Sequence, residues 1–226
     1  MSWRSWLRLG RHPILAPREA YDRWAPTYGK PLNEFQRLER DALLELFPEV
    51  RGRSVLDVGC GRGRIAEIAL ARGASRVVGF DASPGMLAGA GTRRQGALLV
   101  AARIEEPPLD DTTFDLVVCA LTLGHVEAFD DALRDLCRRV RPGGHLLISD
   151  FHPGATARRW QRSFTDSRNE RTYAIEQHLH RLEDYIGGLS AARMVLEETR
   201  EPQWKARPVV LVLRARKPPR EANAQR

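Results

Sequence analysis

A chain of 226 residues with 42% hydrophobic content is long enough to bury one sizeable core, and sits near the upper end of ordinary single-domain length. Its net charge of +7 is mostly arginine, dispersed through segments that also carry Glu and Asp and lacking the interleaved aromatics of a single-strand-binding surface, so no nucleic-acid partner is expected. No run approaches a membrane span, "MSWRSWLRLGRHPILAPREA" scatters arginines where an export signal needs an unbroken apolar core, and Cys60, Cys119 and Cys137 form no CxxC pair; these features predict a cytoplasmic protein with reduced thiols and no membrane partner.

In chain order, residues 17–47, "PREAYDRWAPTYGKPLNEFQRLERDALLELF", read as one or two helices. "SVLDVG" (54–59) predicts a strand, "GRIAEIALARG" (63–73) a helix closed by Gly73, and "RVVGFD" (76–81) a second strand. "SPGMLAGAGTRR" (83–94) predicts a helix with Ser83 as N-cap and Pro84 at its first position, where a missing N–H costs nothing. "ALLVAAR" (97–103) and "FDLVVCAL" (114–121) are the third and fourth strands. "AFDDALRDLCRRV" (128–140) is an amphipathic helix, and "HLLISDF" (145–151) a fifth strand after the turn "RPGG". Ser163 to Asn169 reads as a polar segment and "IEQHLHRLEDYIGGLSAA" (175–192) as a helix. "RMVLEETRE" (193–201) and "PVVLVLRAR" (208–216) read as strands, the last inserted antiparallel beside the fifth, and residues 217–226 as a disordered tail. Short apolar strands separated by helices of about ten residues are the pattern of βαβ crossovers, so the fold class is three-layer α/β.

Glycines 59, 61 and 63 stand where the first strand gives way to a helix, at the carboxyl edge where open α/β sheets bind ligands. Without Cβ atoms they let the backbone bend and a ligand lie against it. A dinucleotide fingerprint would need its third glycine at position 64, which is Arg64. Asp57, just before the loop, would repel a pyrophosphate but accept hydrogen bonds from an ammonium, favouring an amino-acid-like ligand. Asp81 ends the second strand, 22 residues after Gly59, where a carboxylate can receive both hydroxyls of a ribose.

"VLDVGCGRGRIAEIALARGASRVVGFDASPGMLAGA", "PPLDDTTFDLVVCALTLGHV" and "LRDLCRRVRPGGHLLISDF" resemble successive motifs of the class I S-adenosylmethionine-dependent methyltransferases, in the small-molecule branch that includes ubiquinone, menaquinone and malonyl-carrier-protein methyltransferases. The resemblance is strong from about Tyr21 to Asp150 and only architectural beyond. It implies a Rossmann-like three-layer sandwich around a mostly parallel seven-stranded sheet with an antiparallel C-terminal strand, S-adenosyl-L-methionine as cofactor, and a small-molecule acceptor. It divides one domain, 1–216, into an N-terminal helical cap (1–50), a cofactor-binding core (54–150), an acceptor-site segment (151–190) and the last strands (193–216). Asp57, Gly59, Cys60 and Gly61 match the loop that holds the methionine portion, Asp81 the ribose-binding acid, and Ala82 and Met86 the flanks of the adenine. Ala120 and Leu121 match the backbone beside the methionyl part, and "AYDRWAPTY" resembles the N-terminal helix, with Tyr21 and Tyr28 over the cofactor. Where relatives carry Gly-Asp-Ala this chain has Ala102-Arg103-Ile104; Ile104 can pack on the adenine, whereas Arg103 cannot accept a hydrogen bond from its amine.

A sulfonium methyl is already activated, so the enzyme must mainly align a nucleophile and exclude water, with a base only where the nucleophile loses a proton. His152, after the fifth strand, and His125, after the fourth, are the candidate catalytic residues, with Asp150 placed to orient His152 or simply to end the strand. His178 and His180 could line the pocket, Trp24 and Trp160 could wall the acceptor, and Arg158, Arg159, Arg162, Arg168 or Arg171 could meet an acceptor carboxylate or phosphate. No metal-ligand spacing stands out, and a monomer or homodimer is expected. The alternatives are a non-catalytic cofactor-binding regulator and an NAD-dependent oxidoreductase.

Overall fold

A computed structural model describes residues 12–91, 96–157 and 161–219. The N-terminal region forms two helices, α1 (Pro17–Trp24) and α2 (Glu34–Leu46), preceded by a short strand β1 (Ile14–Leu15). Helix α2 starts at Asn33 in a reciprocal capping box: the Asn33 side chain accepts from the Gln36 amide at 2.9 Å, and the Gln36 side chain accepts from the Asn33 amide at 3.1 Å. The alternating core follows as β2 (Ser54–Val58), α3 (Arg64–Ala71), β3 (Arg76–Asp81), α4 (Pro84–Ala88), β4 (Leu98–Ala101), β5 (Phe114–Ala120), α5 (Phe129–Arg139) and β6 (Val140–Phe151). Ser83 caps α4, accepting from the Met86 amide, but the helix ends at Ala88, short of the expected stretch, whose residues 92–94 lie outside the described ones.

Strands β2 to β6 are all parallel. Val140 already pairs with Phe114, so "RPGG" is an irregularity inside β6 rather than a turn before it, with Gly143 in the left-handed region. After β6 come α6 (Pro153–Ala157), β7 (Ser163–Asp166), β8 (Arg171–Ile175), α7 (Leu182–Ala191), β9 (Val195–Arg200), β10 (Gln203–Trp204), β11 (Arg207–Pro208) and β12 (Val210–Arg216). The main sheet has the order β4-β3-β2-β5-β6-β12-β9, in which β12 lies antiparallel between its two neighbours. This is the Rossmann-like α/β sandwich, seven strands with one reversed.

The sheet has apolar side chains on both faces because helices cover both. Phe35, Leu43 and Leu46 of α2 and Ile65 and Ala69 of α3 pack on Val55, Leu116, Val118, Leu147 and Val212; Leu133 and Leu136 of α5 and Tyr185 and Leu189 of α7 pack on Leu56, Val117, Ile148 and Leu211.

Three expectations after Phe151 are corrected. The polar segment at 163–169 begins as a strand, because Phe164 pairs with Tyr173 in an antiparallel hairpin whose second strand, β8, takes β1 as a parallel partner. Phe164, Tyr173, Ile175 and Ala20 form a small core beneath it. The late helix starts at Leu182, not Ile175, since Ile175 belongs to β8 and residues 176–181 run without regular structure along the cavity edge. Lys217 is not loose: its amide donates to the Gly144 carbonyl at 2.9 Å and its carbonyl accepts from the Gly143 amide at 2.8 Å, while residues 220–226 lie outside the described ones. Among the described residues no helix is long and apolar enough to cross a membrane, and the three cysteines are buried thiols.

Candidate cofactor and acceptor site

The sheet reverses direction of growth between β2 and β5, the switch point where a crevice opens at the carboxyl ends of the strands. The turn after β2 fills the crevice floor. Gly59, Gly61 and Gly63 all have positive φ, +69°, +53° and +80°, and the Gly59 and Cys60 amides both donate to the Phe80 carbonyl. A Cβ at Gly59 would drive into the Thr122 side chain, so that position is restricted by space as well as by dihedral. Above the loop lies a cavity of about 410 Å³, within the size range of cofactor sites, walled by α1, α2, the ends of β3 and β5, and the segment at Glu176 and His178.

Two sets of polar side chains line this cavity. In the first, the Asp81 carboxylate accepts from the Gly61 amide through Oδ2 and from the Ser83 amide through Oδ1, both at 2.8 Å. Burial raises its pKa, and those two amides oppose the rise. Each oxygen keeps a second lone pair for a ligand hydroxyl. In the second, Asp57 is 1% exposed, and burial pushes its pKa up to about 7 despite the attraction of Arg64 and a bond from the Ala66 amide. Arg64 reaches the fully buried Glu39 of α2 at 2.8 Å, and Glu39 also accepts from the Ser149 hydroxyl at 2.7 Å. Asp57 Oδ2 and Arg64 Nη1 are buried without a hydrogen bond; Glu39 Oε2, likewise without one, is the oxygen that ion-pairs with Arg64 Nη2. Two such uncompensated atoms in one cavity wall, Asp57 Oδ2 and Arg64 Nη1, are an arrangement a protein seldom keeps unless a ligand completes it.

Of the residues singled out in the sequence, Tyr21, Tyr28, Asp57, Gly59, Cys60, Gly61, Asp81, Ala82, Met86, Arg103, Ile104, Ala120, Leu121 and His125 line the cavity. Arg103 is itself solvent-facing and pairs with Glu105 at 3.2 Å. His152 does not line it. The strand end turns it toward Glu201, 3.4 Å away, and its Nδ1 accepts from the Gly154 amide. Asp150 does not orient it either, because its carboxylate is taken by the Arg162 guanidinium at 2.7 Å and the Gly124 amide at 2.5 Å. His125 is present but occupied: Nδ1 donates to the Glu176 carbonyl at 2.7 Å, leaving Nε2 to accept from Arg162 at 2.7 Å, with the Tyr21 hydroxyl at 3.0 Å. Burial and then the Arg162 charge hold its pKa well below the ordinary imidazole range. His178 lines the cavity, whereas His180 bonds the Leu123 carbonyl and stacks on Phe129.

Trp24 packs away from the cavity, stacked on Phe164. Arg162 is 4% exposed and inward-facing, and Arg168 is spent on Asp166, so neither waits in solvent for an acceptor anion. Trp160, Arg158 and Arg159 lie outside the described residues. Sequence reasoning missed Glu39 and Arg64 as neighbours of the site, and named Arg162 only as a contact for an acceptor anion, whereas its guanidinium is spent on Asp150, Leu121 and His125. For Glu39 a signal existed: it stands on the α2 face that carries Phe35, Ala42, Leu43 and Leu46, a place where an acid needs a partner.

A family model described as "Methyltransferase domain" matches residues 56–148. A malonyl-[acyl-carrier protein] O-methyltransferase of Pseudescherichia vulneris is 32% identical over 202 residues, covering 85% of this chain and 71% of that protein. Another of the same name, from Enterobacter lignolyticus, is 39% identical over 130 residues, 58% of this chain, and the chain spans 51% of its length. Among solved structures, an S-adenosylmethionine dependent methyltransferase from Mesorhizobium loti superposes with a TM-score of 0.68 at 26% identity, covering 80% of this chain and 98% of that one. With the glycine loop, the two acids and the strand order already in place, these likenesses settle the family: the chain belongs to the class I S-adenosylmethionine-dependent methyltransferases.

Proposed function

We propose that the protein transfers the methyl group of S-adenosylmethionine to an O, N or C atom of a small organic acceptor, releasing S-adenosylhomocysteine. The observation that carries this reading is one cavity lined both by the Asp81 carboxylate and by the unsatisfied Asp57 and Arg64 atoms, with Glu39 holding Arg64. An ammonium suits the two carboxylates, a carboxylate suits Arg64 Nη1, and a ribose suits Asp81, so the residues fit the cofactor of the family.

When bound, S-adenosylmethionine supplies a methyl group already activated by its sulfonium. Asp57 and Glu39 would take the amino group and Arg64 the carboxylate, while Asp81 takes the ribose hydroxyls and Met86 and Ile104 flank the base. Tyr21 and Tyr28, both with burial-raised pKa values, remain un-ionised walls that exclude water. His125, uncharged and with Nε2 engaged, belongs to the wall and is not a free base. Alignment and dryness therefore carry the chemistry. The relatives named for malonyl-carrier-protein methylation support a small acceptor group. The three buried thiols suit a reducing, cytoplasmic setting.

Calorimetric titration with S-adenosylmethionine, S-adenosylhomocysteine and NAD tests this. The expected outcome is saturable binding of the first two, weakened about tenfold or more by Asp81→Ala. Binding of NAD alone would return the site to an oxidoreductase; cofactor binding without turnover on any of a panel of hydroxy, amino and carboxy acceptors would favour a regulator.

A further inference from the structure

Beyond the cavity lining, one side chain gathers more of the site than any motif residue. Arg162 precedes β7, and its backbone is fixed on both sides, its carbonyl accepting from the Ile175 amide at 2.9 Å and its amide donating to the Gln177 side chain at 3.2 Å. Its guanidinium lies over the Phe151 ring at 4.4 Å and is buried. Nη2 donates to Asp150 at the end of β6 at 2.7 Å; Nη1 lies 2.6 Å from the Leu121 carbonyl, 2.7 Å from His125 Nε2 and 3.4 Å from the Tyr21 hydroxyl. One planar group thus touches the β5 turn, β6 and α1 at once.

The Leu121 contact matters most. Leu121 has φ +57°, the left-handed region that a leucine adopts only when its surroundings force it. Its amide donates to the Ser149 carbonyl at 2.7 Å and its carbonyl is held by Arg162, so both of its backbone groups are tied. Leu121 and His125 line the same cavity wall.

We propose that Arg162 is a positioning residue for the methionyl wall of the cofactor site: its guanidinium holds the strained Leu121 backbone in place and fixes the His125 imidazole with Nε2 as acceptor. This rests on the reading of the cavity as an S-adenosylmethionine site. A lysine cannot replace it, because a single ammonium cannot span Asp150, Leu121 and His125 in a plane. The clamp also keeps a second positive charge off the wall. The groups facing His125 are Tyr21 from α1, Arg162, the Glu176 carbonyl and His178 from the segment after β8, and, through Arg162, Asp150 of β6, which Tyr185 of α7 also contacts. Arg162 brings its own counter-charge in Asp150, whereas a protonated His125 would bring none and would oppose a sulfonium.

The test uses the full chain and two probes, S-adenosylhomocysteine, which is neutral at sulfur, and S-adenosylmethionine, which is cationic there. Arg162→Lys and the charge-balanced pair Arg162→Met with Asp150→Asn are compared with wild type by calorimetry from pH 5.5 to 8, with thermal melts to establish folding. His125 is followed by NMR of its ring signals, assigned with His125→Gln. The expected result is weaker S-adenosylhomocysteine binding by about tenfold or more in both variants. In the double variant the His125 titration should also move upward, and the preference for S-adenosylhomocysteine over S-adenosylmethionine should grow as pH falls. A folded variant with wild-type affinity for both probes and an unmoved His125 titration overturns the proposal. Failure of wild type to bind either probe removes the cofactor reading itself, a distinct outcome seen before any variant is made.

Discussion

Asp57 is the residue whose chemistry is most exposed to test. Its pKa near 7 in the cofactor-free protein, against about 4 for an unfolded chain, means that between those values the folded state holds a proton the unfolded state has lost. Stability therefore falls as pH rises through that window. Asp57→Asn, which cannot ionise, should raise the melting temperature of the cofactor-free protein at pH 8, by an amount worth roughly 1–3 kcal/mol, with the gain vanishing near pH 4. Binding runs the other way, since an ammonium needs the ionised acid. Affinity for S-adenosylhomocysteine should drop as pH falls below about 7 in wild type and stay flatter, though weaker, in Asp57→Asn; calorimetry across pH 5.5–8.5 checks both slopes. Gly59→Ala is a second residue-scale test. It places a side chain at φ +69° and against Thr122, and should cost roughly 1–3 kcal/mol in chemical denaturation and abolish cofactor binding. The glycines were legible because their type states a backbone requirement. Arg64 was legible only as a departure from a dinucleotide pattern, since its partner Glu39 stands 25 positions earlier and nothing local joins them.

At the scale of elements, α1 is fastened to the core by side chains. Asp22 accepts from the Ser83 hydroxyl at 2.6 Å and the Gly85 amide at 2.8 Å, and Arg62 donates to the Ala25 carbonyl at 2.8 Å. Asp22→Ala should raise amide exchange across residues 17–24 roughly tenfold, as a charge-assisted contact is lost, while exchange in β2 and β5 stays unchanged. Equal exchange in both regions would mean that packing alone holds α1. Helix α2 is set by its own start: Asn33→Ala removes the capping box and should cost about 1 kcal/mol, measured by urea unfolding. Residues 17–47 were legible as one or two helices, and the seven strands of the main sheet could be read from the chain because their apolar runs are local. Residues 175–181 could not: their sequence is helix-compatible, but Ile175 pairs with β1 across the chain, and that pairing outweighs propensity.

For the whole molecule, a ligand that binds only the folded state stabilises it by mass action. S-adenosylhomocysteine at about 100 times its dissociation constant should add about 2.7 kcal/mol, which for a chain of this size is a rise of roughly 5–10 °C in the melting temperature. NAD at the same concentration should produce none. The sequence by itself determined the α/β alternation, the antiparallel last strand, the glycine turn and the two acids, because each depends on residues within one element or one βαβ unit. Tertiary structure alone decided that His152 faces away from the cavity, that His125 is bound by Arg162, and that Glu39 lies beside Arg64. Those outcomes depend on which distant segments close over the sheet edge, where a side chain's partner is chosen by packing in three dimensions and leaves no spacing along the chain.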